Sequence, residues 1–507
     1  MDFRSILGTS DTRRLALVEK LYYRSDGIAS DELLSELECS LPILLNDIEW
    51  INERHEYYQI IKVKGLYRLE MNQKVSLGNV YAYILNQSPE FQIIEELLYE
   101  KCDSITTLSK KLYLSTSNTQ RALKKIEKTL SEAGMTLNYR PLRIEGNESE
   151  IRTFYYRFYS ERQDAFESTL PNLTPEQYHV IEAYVKEFVE VNTIWKKYVF
   201  QKYLVYLIFI SLWRIKNNHP FPKEELRTLG IKLPFDASYK ELRRVVTEIA
   251  GIDLRPVILQ DCLWSIFSDS IVFSIPHREL AMTDNPRYQE LFMRHFELAK
   301  EYDEMTGNHL SKQDRIDLTT VLCNDFYLYN PEGQYIGILW RNRTVFLREV
   351  SKVYGRGLQK VRSLVERFVE KYQMYQENDF ILNYVYLLIT TEINSLEWLS
   401  KQDHPLKVLL LSDLTPTEES FLAKQINDYV YGNFSIVLFE QLLVGNAQLL
   451  DELKKYDCLI TTGSSEGLPE DYPVVVIDPF LTAQSTSLIQ DMISQIAEKK
   501  DQVTIVE

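Results

Sequence analysis

The chain has 507 residues, enough for about three to five domains. Hydrophobic residues make up 45% and charged residues 26%, the mixture of a folded chain, and 17 Gly with 17 Pro are too few for a collagen-like or linker-dominated sequence. The net charge of -16 speaks against a polyanion as partner until it is resolved by segment.

Resolved that way, the charge is segregated. From Ser104 to Ile144 there are eight Lys and Arg against two acids, a balance of +6. From Lys401 to Glu507, 7 Lys face 9 Asp and 8 Glu, a balance of -10. A basic segment in an acidic chain points to nucleic-acid contact at one end. No apolar run approaches the roughly 20 residues that a membrane span needs. The first twenty residues are charged throughout (Asp2, Arg4, Asp11, Arg13, Arg14, Glu19, Lys20), with no apolar core of a leader peptide. The five cysteines (Cys39, Cys102, Cys262, Cys323, Cys458) form no C-x-x-C, which fits a reducing cytoplasm and implies neither a disulfide framework nor a metal site.

In chain order, residues 1 to about 160 alternate short helical and short strand patterns. Thr12 to Tyr23 is amphipathic, Ser30 is placed to cap a short helix, and Ser40 opens a second one with Ile43, Leu44, Ile48 and Ile51. Tyr57 to Leu69 alternates around Lys64-Gly65, the pattern of a two-stranded wing. The same order returns in Phe91 to Tyr99, Ile105 to Leu112 and Ser117 to Leu130, with strands at Met135 to Tyr139 and Leu142 to Glu145 around Arg140-Pro141. Each set reads as a helix-turn-helix followed by a wing. In the second, Ser117 with Gln120 reads as a capping box. Ala122, Leu123, Ile126 and Leu130 share one face of the predicted helix. Asn118, Gln120, Arg121, Lys124, Lys125 and Lys128 share the other.

A recognition helix presents its N-terminal side chains to base edges in the major groove. Asn and Gln pair with adenine, Arg pairs with guanine, and Lys further along suits phosphates. The candidate DNA-binding residues are therefore Ser117, Asn118, Gln120, Arg121, Lys124, Lys125 and Lys128, with Arg140 at the wing. The competing reading is a basic amphipathic surface helix, which the repeated helix-turn-helix pattern disfavours. The first set is a weaker reader: Asn46, Asp47, Glu49, Asn52 and Glu53 are balanced only by Arg54 and His55, so a packing or dimer element competes equally with DNA contact there.

From about 165 to 400 the period is almost wholly helical. After Pro405, four short apolar runs (Lys407 to Leu411, Phe434 to Phe439, Cys458 to Thr461, Val474 to Ile477) alternate with helical stretches at Thr417 to Tyr431, Ala447 to Lys455 and Ser485 to Lys499. Uninterrupted apolar strands between helices mean a buried parallel sheet.

This order resembles the Mga/AtxA family of global virulence regulators. The stretch Leu142-Arg-Ile-Glu-Gly146 with Glu148 and Arg152, and the long apolar helix Tyr203 to Asn217, carry the resemblance. It implies a multidomain, mostly α protein with two N-terminal winged helix-turn-helix domains (1–72 and 73–160). Two all-helical phosphotransferase-system regulation domains (PRD-like) follow at 161–284 and 285–400, and a C-terminal α/β domain like the EIIB component of sugar transporters, with a parallel sheet, at 401–507. It further implies a cytoplasmic transcriptional activator with double-stranded DNA as partner, self-association through the C-terminal domain, and control by the phosphocarrier histidine protein of the sugar phosphotransferase system. Histidine phosphorylation is expected at His219, His277 or His309, each read as exposed, because an added phosphoryl charge reorganises a helix interface. The position where related domains place a histidine in their long first helix holds Tyr203, Tyr206 and Leu207 instead.

No cofactor, metal or catalytic residue is expected: P-loop and H-E-x-x-H motifs are absent from the sequence. The alternative of a phosphotransferase component is opposed by Ser412, Asp413 and Leu414, which stand after the first C-terminal strand where an active EIIB of the cysteine type has its nucleophile. An RNA-binding antiterminator is a further alternative, and the helix-turn-helix pair opposes it.

Overall fold

A computed structural model describes residues 3–24, 26–53, 57–162, 170–194, 198–227, 230–268, 271–307, 309–329, 337–340, 342–374, 377–402, 405–439, 446–463, 467–469 and 471–500. The chain forms two compact units, Met1–Met293 with Thr320–Arg341 and Arg294–Thr319 with Asn342–Glu507. Among the described residues no helix is long and apolar enough to cross a membrane.

The first unit opens with a short 3-10 turn, Phe3–Ile6, then α1 (Thr9–Tyr23), β1 (Ile28–Ala29), α2 (Ser30–Glu36), α3 (Leu41–Asn52), β2 (Tyr58–Val63) and β3 (Leu66–Met71). The strands form an antiparallel sheet in the order β1-β3-β2, with Lys62 opposite Tyr67 beside the Lys64-Gly65 turn. Ser30 is the first helical residue of α2, and Ala29 holds the cap position with no side-chain bond. The predicted serine cap is thus one residue too late.

Two helices follow without a break: α4 (Leu77–Gln87), which the sequence analysis passed over, and α5 (Pro89–Tyr99). Then come α6 (Ile105–Lys111), α7 (Thr116–Glu132), β4 (Thr136–Tyr139), β5 (Leu142–Glu145) and α8 (Glu148–Arg162). The β4–β5 pair is antiparallel and closes at Tyr139↔Leu142 around Arg140-Pro141, as predicted. Buried aromatics bind these elements together: Phe91 lies over Phe158, and Tyr99 meets Tyr159 and Trp213.

The helical stretch contains α9 (Pro175–Val191), α10 (Tyr198–Lys216), α11 (Ala237–Ala250), α12 (Pro256–Cys262), α13 (Trp264–Phe267), α14 (Ile275–Asp284), α15 (Pro286–Thr306) and α16 (Lys312–Tyr329). The apolar run expected as a core helix is α10, and its residues from Leu204 to Ile210 are all buried. In the second unit α17 (Asn342–Lys371) bends at Tyr354, whose φ of -132° and ψ of 43° leave the helical range. Gly357 lies against Leu399 so closely that a Cβ there would meet its Cδ2 at 2.8 Å. After α18 (Asn378–Thr391) and α19 (Ser395–Ser400) comes the parallel sheet: β6 (Leu406–Leu411), α20 (Pro416–Tyr429), β7 (Phe434–Leu438), α21 (Asn446–Leu453), β8 (Cys458–Thr461), β9 (Val474–Val476) and α22 (Ala483–Lys500). Its order is β7-β6-β8-β9. All three pairings are parallel, and the Cys458 thiol is buried in β8.

One carboxylate organises the back of the first unit. Glu161, at the end of α8, is buried and accepts the backbone N–H groups of Ile338, Leu339 and Trp340 at 3.2, 2.6 and 2.8 Å. Arg4 donates Nε to the Leu339 carbonyl at 3.0 Å, so the segment is held from both sides. Burial pushes the Glu161 carboxyl up to about 7, against the three N–H donors and Arg157, which pull it down. The folded chain therefore holds this proton more tightly than the unfolded chain. Its contribution to stability grows as pH falls from about 7 through the ordinary carboxylate range and vanishes above pH 7. Urea unfolding of the Glu161→Gln variant between pH 5 and 8 should show a flatter stability profile than the wild type in that window. An unchanged slope would refute the assignment.

Candidate nucleic-acid interface

The α7 helix is capped two residues earlier than its sequence suggests. Ser115, with φ of -69° and ψ of 145°, is its N-cap, and its Oγ accepts from the Asn118 N–H at 3.1 Å. The Ser117–Gln120 capping box is therefore corrected: both residues lie inside the helix and are exposed. The reason is packing. Thr119 is buried with its hydroxyl receiving Ser109 Oγ of α6 at 2.9 Å, and its N–H donates to the Ser115 carbonyl at 3.0 Å, the bond that opens the helix at Ser115.

The buried face of α7 is Thr119, Ala122, Leu123, Ile126, Thr129 and Leu130. The eight residues expected to meet DNA (Ser117, Asn118, Gln120, Arg121, Lys124, Lys125, Lys128 and Arg140) are all exposed. They differ in what their polar ends do. Arg121 Nη2 donates to Asn118 Oδ1 at 2.6 Å, which couples two base-reading candidates. Lys125 Nζ donates to the Leu7 carbonyl at 3.1 Å, while Ser5 Oγ meets Thr129 Oγ1 at 3.1 Å. The N-terminal 3-10 turn thus braces the back of α7, and Lys125 is spent on that brace. Two further cations of the +6 segment are neutralised: Lys111 pairs with Glu96, and Arg143 with Glu145. Among the described residues Lys110, Arg121, Lys124, Lys128 and Arg140 have no carboxylate partner.

The sequence pattern shows the helix-turn-helix twice, but its residue-by-residue register emerges only from the structure. The two helix-turn-helix segments align in register at an offset of 75 residues: α2 starts at Ser30 and α6 at Ile105, α3 at Leu41 and α7 at Thr116. The N-caps Ser40 and Ser115 correspond, and so do the buried Leu33/Leu108, Leu37/Leu112, Ile48/Leu123 and Ile51/Ile126, with Leu112 only partly covered. Even the turn matches, since Glu38 (φ 47°) and Tyr113 (φ 56°) share the left-handed conformation that such turns usually give to glycine. The match of Leu33–Leu37–Ser40 with Leu108–Leu112–Ser115 would have placed the α7 cap correctly. Tyr113, 96% exposed beside the start of α7, was also overlooked.

The two copies part company on the exposed face. Where α7 has Ser117, Asn118, Gln120, Arg121, Lys124 and Lys128, α3 has Pro42, Ile43, Leu45, Asn46, Glu49 and Glu53. The cations around α3 are consumed internally. Asp47, withdrawn from solvent, accepts from Arg13 at 2.5 Å and Arg14 at 3.0 Å. Lys20 pairs with Glu36 at 2.8 Å and Arg24 with Glu32 at 2.5 Å. Arg54 and His55 lie outside the described residues, as does His404.

A buried ion network fixes the β4–β5 hairpin to the helical stretch. Arg214 of α10 donates to Glu148 at 2.5 Å, to Glu100 at 3.2 Å and to the carbonyl of Ile144 in β5 at 3.2 Å. Arg152 donates to Asp261 at 2.7 Å and to the His219 carbonyl at 3.1 Å. The His219 ring sits on this network, with Nε2 2.9 Å from Glu100 Oε1. His277 is not exposed as expected: it is buried in the first turn of α14, whose cap Ser274 accepts from its N–H. His309 is exposed after Gly307, and Ser311 caps α16 by accepting from the Asp314 N–H at 3.1 Å.

Residues 73–159 match the Mga helix-turn-helix domain. A protein of Streptococcus pneumoniae serotype 4 named, provisionally, as a trans-acting regulator is 20% identical over 468 residues, 90% of this chain and 92% of that one. The capsule synthesis positive regulator AcpA of Bacillus anthracis is 27% identical over 211 residues, 41% of this chain and 43% of its own. The anthrax toxin expression trans-acting positive regulator of the same organism is 33% identical over 98 residues, 19% of this chain and 20% of its own.

The cap correction has a direct check. Ser115→Ala should destabilise the unit by about 1 kcal/mol, the usual cost of a lost N-cap. Ser117→Ala, on the exposed face, should leave the thermal midpoint unchanged. Equal effects of the two substitutions would return the cap to Ser117.

Proposed function

We infer that this chain, which belongs to the Mga/AtxA family of regulators, is a DNA-binding transcriptional activator in which α7 is the reading helix. One observation carries the assignment of the reader. Within the residues that match the family's helix-turn-helix domain, α7 alone of the two repeat-related helices presents cations that no carboxylate of the described residues opposes. Ser117, Asn118, Gln120 and Arg121 occupy its first two turns, the part of a recognition helix that reaches base edges. Lys124 and Lys128 lie further along the same face, suited to phosphates, and Arg140 at the hairpin turn suits a neighbouring phosphate or the minor groove. Tyr113 flanks the same edge.

The remaining assignments support the same reading. Residues 161–284 and 285–400 are two sensory domains of the phosphotransferase-regulated type, and 401–507 is an EIIB-like unit that mediates self-association. Of the three expected phosphorylation sites, His309 best suits a phosphoryl donor because its ring is exposed. His277 is buried, and a phosphoryl group on His219 Nε2 would meet the Glu100 carboxylate. Two copies of α7 on one duplex would bind far more tightly than one, because the second contact forms at high effective concentration.

The test is a salt series with duplex DNA, in full-length protein. The Lys124→Ala/Lys128→Ala variant should lose affinity for every duplex. Its plot of log affinity against log salt should be shallower by about 1.8, at roughly 0.9 per phosphate contact. Lys125→Ala should change that slope less and should lower stability, since it removes the brace on Leu7. A double variant with the wild-type slope would show that α7 does not track the backbone. Preference for structured RNA over duplex DNA would favour an antiterminator.

A further inference from the structure

The repeat leaves α3 with the same backbone setting as α7 and the opposite surface. Leu41, Ile43 and Leu45 are 44%, 41% and 49% exposed, and Pro42 lies among them on the first turns. Glu49 and Glu53 continue the exposed face along the helix, and Glu38 projects at the turn before it. Every position that is cationic on the exposed face of α7 is neutral or acidic on α3. Phosphates are repelled by such a face, and water gains from covering its aliphatic end.

We propose that the exposed face of α3 is a protein-docking surface, and that its partner is a protein surface bearing an apolar patch bordered by lysine or arginine. The proposal rests on the reading that the chain activates transcription. Two features argue for this occupant. First, the aliphatic cluster is continuous over the first turns of the helix, with Glu38 before it and Glu49 and Glu53 beyond it, so it matches an apolar contact bordered by cations. Second, α3 lies in the same compact unit as α7 and is held near the duplex whenever α7 is bound. Proteins that share that duplex carry cationic surfaces of their own, and an acidic border both attracts them and rejects the DNA itself. For an activator the protein that must be met on the same duplex is the transcribing polymerase, and purified RNA polymerase holoenzyme is the probe.

The internal ion pairs explain how the helix can carry this face. Asp47 faces inward and is neutralised by Arg13 and Arg14, and the Arg14 guanidinium lies 4.1 Å from the centre of the Trp50 ring. The fold of α3 is therefore secured from its buried side. Its exposed residues are free to be chosen for a partner, as those of α7 are.

The experiment uses full-length protein with two independent changes, Leu41→Ser/Leu45→Ser and Glu49→Lys/Glu53→Lys. All four positions are exposed, so the thermal midpoint should stay at the wild-type value for both. Three quantities are measured: duplex affinity, sedimentation, and stimulation of transcription by the holoenzyme from a genomic fragment that the wild type retains. The serine variant should bind DNA within two-fold of wild type and the lysine variant equally or more tightly, while stimulation falls at least ten-fold in both. Direct binding of the holoenzyme to the protein should weaken in parallel. Undiminished stimulation by either variant would overturn the proposal. A fall in duplex affinity of the serine variant would make α3 a DNA contact instead, and a shift to smaller assemblies would make it an interface between copies of this chain. A wild type that binds the fragment and stimulates nothing would refute the activator reading, and the docking proposal would fall with it.

Discussion

A chain with a net charge of -16 can hold a polyanion only where cations are left without carboxylates beside them. Several cations of the first unit are compensated by such carboxylates. Arg4 is held by Glu19, Arg13 and Arg14 by Asp47, Lys20 by Glu36, Arg24 by Glu32, Arg143 by Glu145, Arg152 by Asp261 and Arg214 by Glu148. The buried pairs cost desolvation and repay it only through close geometry, so they serve to fix position. The α7 face gathers uncompensated cations on one helix: Arg121 is turned toward an amide, and Lys124 and Lys128 are unopposed among the described residues.

The two repeat-related segments separate what specifies a fold from what specifies a function. Leucines and isoleucines at matched buried positions, a serine cap and a left-handed turn residue recur at an offset of 75 and give the same helix pair and hairpin twice. The exposed residues of the second helix have no part in that framework. In one copy they became amides and cations, in the other aliphatics and acids. The match of residues 73–159 to the Mga helix-turn-helix domain accounts for the presence of α7, and the diverged surface of its twin is a property of this chain's own residues.

Much of this was legible from sequence for physical reasons. The C-terminal sheet announced itself because strands buried on both faces must be apolar without interruption, as in KVLLL and CLIT. The hairpins were placed by Lys64-Gly65 and Arg140-Pro141. Two kinds of error arose where several residues satisfy the same local chemistry. Ser115, Thr116 and Ser117 can each cap a helix, and only the bonds that Ser115 takes from the N–H groups of Asn118 and Thr119 decide among them. His277 was read as exposed, although Ser274 followed by proline in the first turn is a helix start. The engagement of Lys125 by the Leu7 carbonyl was beyond reach, because it joins residues 118 apart in sequence.

The division of labour between the twin helices is tested most directly by photo-crosslinking from register-equivalent positions. A photoreactive side chain is placed at position 124 of α7 or position 49 of α3 in otherwise wild-type protein, which is then irradiated on radiolabelled duplex. The account predicts efficient DNA adducts from position 124 and none above background from position 49. Equal yields from the two positions would show that both helices lie on the duplex and would contradict it.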